Sequence, residues 1–234
     1  APSTTYEKTA ATTTNAIRTI AASAATGKQV VVITDSVAQA PIGTTFTAST
    51  VPVVLAEAFL SDEFSMTGTG TNQGNTGADQ NALVVSAAGA THPLGAGFAA
   101  GSVTTSSSAT VTHGWGKPTA NAVVAATITG DTTKAAIYGY DTGAAMQGGY
   151  TAPARRVAFH LYNGSSSVLN DNSVALFDAV IAWAAKSAPK VSYKRDATDR
   201  ITERESPWVC WRLGLFDSHP CRGGLLGSVE RLLE

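Results

Sequence analysis

In residues 152–185, APARRVAFHLYNGSSSVLNDNSVALFDAVIAWAA, the spacing of apolar positions changes from about two to about three and a half residues. Val157, Phe159 and Leu161 alternate, as in a strand with one face on a core, while Phe177, Val180, Ile181 and Ala184 recur as one face of a helix. The pattern predicts a strand followed by a helix over residues 172–187, stopped at Ala188-Pro189. Such a unit belongs to an α/β fold.

The same reading places a helix over residues 13–25, ended by Gly27, and a nearly continuous apolar strand over 29–34, expected to be central and parallel. A strand over 51–56 follows, with Pro52 near its start. The Gly-Thr-rich stretch between these strands is short for a full crossover helix. Residues 68–80 form a polar Gly-Asn-Thr loop. Short β-like runs then recur at 82–86, 102–105, 110–113, 122–128 and 134–140, as in an antiparallel extension of a parallel core. Their Thr/Ser/Gly similarity is compositional and marks no internal repeat.

The 152–185 unit, together with THPL at 91–94, resembles the C-terminal unit of ThuA-like proteins, relatives of the class I glutamine amidotransferases. There a Gly-Arg-Val-Phe-type strand precedes a helix ending in Trp-Ala. The resemblance covers roughly residues 28–187 and is strongest from 135 to 185 and at THPL. It implies a flavodoxin-like three-layer α/β sheet of the amidotransferase type, here with an antiparallel β extension. That fold normally opens with a strand and helix before residue 29, so the chain is expected to be truncated there or to fill the gap with residues 1–12.

The family also sets expectations about chemistry. Counting strands, Glu57 at the end of VPVVLAE stands where amidotransferases carry a nucleophilic cysteine and ThuA-like proteins a histidine. After the last strand, the family's Gly-His pair is replaced by Tyr162-Asn163-Gly164. Residues 1–190 contain no cysteine, so glutamine amidotransfer through a Cys-His dyad is excluded.

Composition divides the chain. Residues 1–190 carry only 19 charged side chains, whereas 14 of the 44 residues from Val191 onward are charged. Both cysteines, Cys210 and Cys221, lie in this tail with Trp208 and Trp211. The tail reads either as non-native sequence or as a docking arm whose aromatic residues cover an apolar patch. Two cysteines eleven apart make neither a disulfide nor a metal site on their own. The net charge of -1 offers no basic field for nucleic acid. No apolar run approaches the roughly 20 residues of a membrane-spanning helix. The Ala/Thr/Ser/Gly-rich body fits a secreted or extracellular bacterial protein, with Ala1-Pro2-Ser3 as a processed N-terminus or an expression remnant.

Polar residues just after apolar strands are the first site candidates, because ligands of open α/β sheets sit at the C-terminal strand ends. Asp35-Ser36 follow the first strand; Ser36 lacks the glycine spacing of a nucleophile elbow, and a turn role is the alternative for both. Glu57 is a candidate general base or hard-cation ligand, against the alternative of a helix-start acid. Asp62 and Asp141 could join it around a calcium ion, with Glu63 beside them, or be solvated acids. Tyr140 and Asp141 suit sugar or cation binding, or an Asp-x-Gly turn.

His92 is an acid/base candidate through its His-Pro motif, which can also be purely conformational. His113 and Trp115 form a candidate sugar-stacking pair, with core cover as the alternative. His160 points away from the face of Phe159 and Leu161. Arg155 and Arg156 can clamp an anionic substrate or pair with Asp141 or Glu57.

Two functions are compatible with this reading. One is a hydrolase of a small ester, lactone or sugar-derived substrate, using Glu57 and His92 with support from Asp35 and Asp141. The other is a non-catalytic accessory or carbohydrate-associated module whose amidotransferase-like site has decayed. No Walker loop, dinucleotide fingerprint or zinc-spaced histidine pair is present.

Overall fold

A computed structural model describes residues 21–35, 39–75, 80–159, 165–186, 192–195 and 201–205. Its strands are β1 (Val31–Ile33), β2 (Val53–Leu55), β3 (Gln73–Asn75), β4 (Ala82–Val85), β5 (Gly101–Thr104), β6 (Gly114–Gly116), β7 (Val123–Ile128), β8 (Asp131–Tyr140) and β9 (Arg156–Ala158). Helices are α1 (Gln39–Ile42), α2 (Ala87–Thr91) and α3 (Asp171–Ala184), with 3-10 turns between. A separate hairpin pairs β10 (Ser192–Arg195) with β11 (Ile201–Glu205).

The main sheet is mixed. Its order is β1-β2-β9-β8-β7-β4-β5, with β6 on β8 and β3 on β6. β1, β2 and β9 run parallel, whereas the pairs from β9–β8 to β4–β5 are antiparallel. The expected parallel core with an antiparallel extension is therefore present, in an α/β chain with few helices. The first strand is parallel but not central: it pairs with β2 alone among the described strands, and Val32 is 38% exposed. An apolar run of this length does not distinguish a central strand from an edge strand, since both need β-branched residues.

β2 is buried on both faces because its neighbours and both layers cover it. Val54 packs with Val157, Phe159, Leu94 and the α3 residues Leu176, Val180 and Trp183. Val53 and Leu55 point the other way, among Phe46, Leu60, Phe64, Met66, Tyr138 and Tyr140. α3 starts where Asn170 Oδ1 accepts the N–H groups of Asn172 and Ser173, and Lys186 leaves the helix at φ 53°.

The two faces are covered unequally. α3, the one long helix among the described residues, lies on the Val54 face, while the other is covered by α1, 3-10 turns and irregular chain. Pro41, Gly43 and successive threonines in the β1–β2 connection favour turns over helix, which limits α1 to four residues. The expected run at 110–113 is displaced to β6, where Gly116 comes beside Tyr138. Of the expected 13–25 helix, residues 22–25 form a 3-10 turn and residues 13–20 lie outside the described residues. The loop at 68–80 contributes β3, paired with β6.

Candidate functional site

The parallel strands have two ends, and the candidate residues divide between them. β2 and β9 are in register at Val53–Arg156 and Leu55–Ala158, and Arg156 is level with Tyr140 of β8. Glu57 lies four residues beyond Val53, about 13 Å along the strand at ~3.3 Å per residue. Asp141 and Arg155 lie past the opposite end. Glu57 and Asp141 therefore do not share a site.

At the C-terminal end, Ile33 pairs with Leu55, which brings Asp35 level with Glu57. Glu57 is 8% exposed and opens a 3-10 turn, its Oε1 accepting the Phe59 N–H at 3.0 Å. Burial raises its pKa above the usual carboxylate value; the Phe59 hydrogen bond opposes that rise, and the charge of Asp35 adds to it. Glu57 thus takes the helix-start role, capping a turn, and is at the same time a desolvated acid.

The following turn adds two more carboxyl groups. Asp62 accepts the Glu63 N–H at 3.0 Å, and its own N–H donates to Gln73 Oε1 at 2.9 Å. Burial, followed by a side-chain hydrogen bond to Asp62, pushes Glu63 up to about 7; Glu57 contributes to the same rise. In Asp62 burial acts upward, but the hydrogen bonds with Glu63 and Gln73 outweigh it and hold the group below its usual range. Glu63 is thus the proton-bearing member of the pair at mildly acidic pH.

A crevice opens beside this end, lined by Leu55, Ala58, Ser61, Trp115, Tyr138 and Phe159. Ser61 and Tyr138 are buried and hydrogen-bonded to each other at 3.3 Å. Burial raises the Tyr138 phenol, so it is no base for Ser61 at neutral pH. Ser61 and Tyr138 are not distinguished by motif; only the alternation of Tyr138 with Tyr140 hints that both phenols face one core. His113 is buried and burial lowers its pKa, so it supports β6 from within instead of stacking on a ligand beside Trp115. Ser36 and His160 lie outside the described residues.

At the N-terminal end, Arg155 is held on three sides. Its Nε donates to Asp141 Oδ1 at 2.9 Å, its Nη1 to the Trp183 carbonyl, and its guanidinium lies 4.4 Å from the centroid of the Trp183 ring. The Arg155 bond lowers the Asp141 pKa. His92 meets the same indole edge-on at 5.3 Å, and its Nδ1 accepts the Leu94 N–H at 3.2 Å. Burial and Arg155 lower the His92 pKa, against Asp141. His92 is thus a cap and packing residue at the edge remote from Glu57. The anticipated Glu57–His92 pair is not assembled, because α3 runs antiparallel to β9 and brings Trp183 to this end.

Two further candidates are occupied inside the protein. Arg156 is fully buried, and its guanidinium donates to the carbonyls of Ser49 at 2.6 Å, Thr47 at 3.0 Å, and Ala154 and Arg155 at 3.1 Å. Burial lowers it to about 10. It is a clamp on the 47–51 segment and does not reach a substrate. Tyr140 is also buried: its hydroxyl donates to Met66 O and accepts from Thr119 N, both at 2.8 Å. Among the described residues no three His, Cys, Asp or Glu side chains converge as metal ligands, and the Glu57–Asp62–Asp141 set is divided between the two edges. The expected calcium therefore does not fit that set. No helix is long and apolar enough to cross a membrane among the described residues.

No protein-family model, curated protein or solved structure matches the chain.

Proposed function

We propose that the protein is a hydrolase of a small ester, lactone or sugar-derived substrate, with Glu57 as its acid/base group. The observation that carries this reading is a desolvated carboxyl group of raised pKa at the C-terminal end of a parallel strand, where ligands of open α/β sheets bind. Glu57 takes a proton from water as the water oxygen adds to the substrate carbonyl. It returns that proton to the departing alkoxide, giving acid and alcohol. A raised pKa makes the carboxylate a stronger base for the first half and keeps the acid available for the second. Asp35 supports Glu57 by disfavouring its ionised form. His92 has no part in this mechanism, since it sits at the other end of the sheet.

The strand–helix unit from β9 to α3 and the THPL turn support a ThuA-like, flavodoxin-type ancestry, and the composition supports export from a bacterial cell. A binding module is the second reading. The aromatic lining of the crevice by Trp115, Tyr138 and Phe159 favours it. A screen of esters, lactones and glycosides decides between them. Hydrolysis that falls ~100-fold or more in Glu57→Gln with the fold intact supports the enzyme. Hydrolysis unaffected by Glu57→Gln overturns the role of Glu57, and ligand binding without turnover favours the module.

A further inference from the structure

Trp115 is the one residue of the crevice with an unsatisfied buried donor among the described residues. Its Nε1–H is shielded from water and has no hydrogen-bond partner. Leaving such a donor unpaired costs roughly 1–3 kcal/mol, and native proteins rarely tolerate it without a ligand, water or ion. Two ammonium groups also approach the indole. The ammonium groups of Lys134 and Lys117 lie 5.0 and 5.9 Å from its ring centroid, at cation–π distance. Lys117 makes no ion pair among the described residues. Lys134 meets Asp131 at 3.4 Å in a solvent-exposed pair, of the kind that is worth little and exchanges readily.

An unpaired N–H on a ring approached by two ammonium groups calls for an acceptor carrying negative charge. We propose that Trp115, Lys117 and Lys134 form a subsite for the carboxylate of a compact hydroxy acid or sugar acid. The inference rests on the hydrolase reading and narrows its substrates to acid-bearing ones. The flexible lysine stems over the ring are the parts that move to admit the ligand. The indole N–H and the two ammonium groups then share the carboxylate oxygens.

Gluconate and glucuronate, with glucose as the neutral control, are titrated into the full chain at low salt by calorimetry. The expected result is binding of at least one acid, glucose at least tenfold weaker, and weakening as salt is added. Trp115→Phe keeps the ring but removes the donor, and should weaken acid binding tenfold or more. A double variant, Lys117→Gln with Lys134→Gln, changes only surface side chains and should abolish the salt dependence. Neither acid binding, glucose binding equally well, or both variants binding like the parent overturns the proposal. Acid binding that persists while hydrolysis ignores Glu57→Gln removes the hydrolase reading alone. Loss of acid binding with Glu57-dependent hydrolysis intact removes this subsite alone.

Discussion

Arg156 Nη2 donates to the Ser49 carbonyl at 2.6 Å, from a side chain with no exposed surface. The cation is compensated by carbonyl dipoles of the 47–51 segment and of residues 154 and 155, with no carboxylate among its hydrogen-bond partners in the described residues. Burying a charge this way is tolerable only while those bonds persist.

Arg156→Ala is therefore expected to be among the most damaging substitutions in the sheet. It leaves a cavity and several unpaired buried carbonyls, for a loss of about 3 kcal/mol or more. Arg156→Lys, with a single point of donation, should recover only part of it. Urea unfolding measures both. An Arg156→Ala midpoint equal to that of the parent would show that the clamp contributes nothing.

Gly139 lies under Trp183, and a β-carbon there would sit 2.7 Å from Trp183 Cζ3 and 3.2 Å from Leu94 Cδ1. Gly139→Ala should lower stability by about 1–3 kcal/mol through overpacking between β8 and α3. Its thermal midpoint should rise again when Trp183→Phe is added, since the smaller ring makes room. Independent, additive effects would argue against direct contact.

Arg155 and Asp141 form an ion pair whose two sides differ. Asp141 is largely exposed, with 62% of its side chain accessible, whereas Arg155 also covers Trp183 and binds its carbonyl. Asp141→Asn should cost less than ~1 kcal/mol, as exposed pairs do. Arg155→Ala should cost clearly more, through lost packing on the indole. Equal losses in chemical denaturation would refute the asymmetry.

Glu63 gives the protein a pH signature. Below its ordinary 4.5 the carboxyl is protonated in folded and unfolded chains alike. Between 4.5 and about 7 only the folded chain retains the proton, so the stability that Glu63 contributes falls as pH rises through that window. Asp62 acts oppositely and at lower pH, losing its contribution as pH falls through and below its ordinary 3.8. His92, lowered from 6.5, also opposes Glu63, because its unfolded form takes up a proton first as pH falls. The difference between parent and Glu63→Gln isolates the Glu63 share. It should shift against the parent between about pH 4.5 and pH 7. A difference that is flat across this range would contradict the raised pKa.

Much of the architecture was legible from spacing alone. The β9–α3 unit, the strands at 51–56, 82–86 and 122–128, and the mixed parallel and antiparallel sheet follow from apolar period and turn residues, which act locally. Glu57 was legible for the same reason, as the first acid after a strand whose residues are all apolar.

What only the tertiary structure decided is which ends meet. Period reveals that a residue follows a strand, but not which way that strand runs in the sheet or which helix end lies above it. Tyr140-Asp141 and Glu57 both follow apolar strands, yet β8 runs against β2, so they emerge at opposite edges. Arg156 reads as a clamp on an anionic substrate or an ion-pair partner of Asp141 or Glu57, and only the fold of 47–51 around it makes it a buried clamp on backbone carbonyls. The orphaned Trp115 N–H depends on β6 lying beside β8, a pairing between residues far apart in the chain. Local pattern determined the elements and the candidate acid; long-range strand order determined which side chains became neighbours.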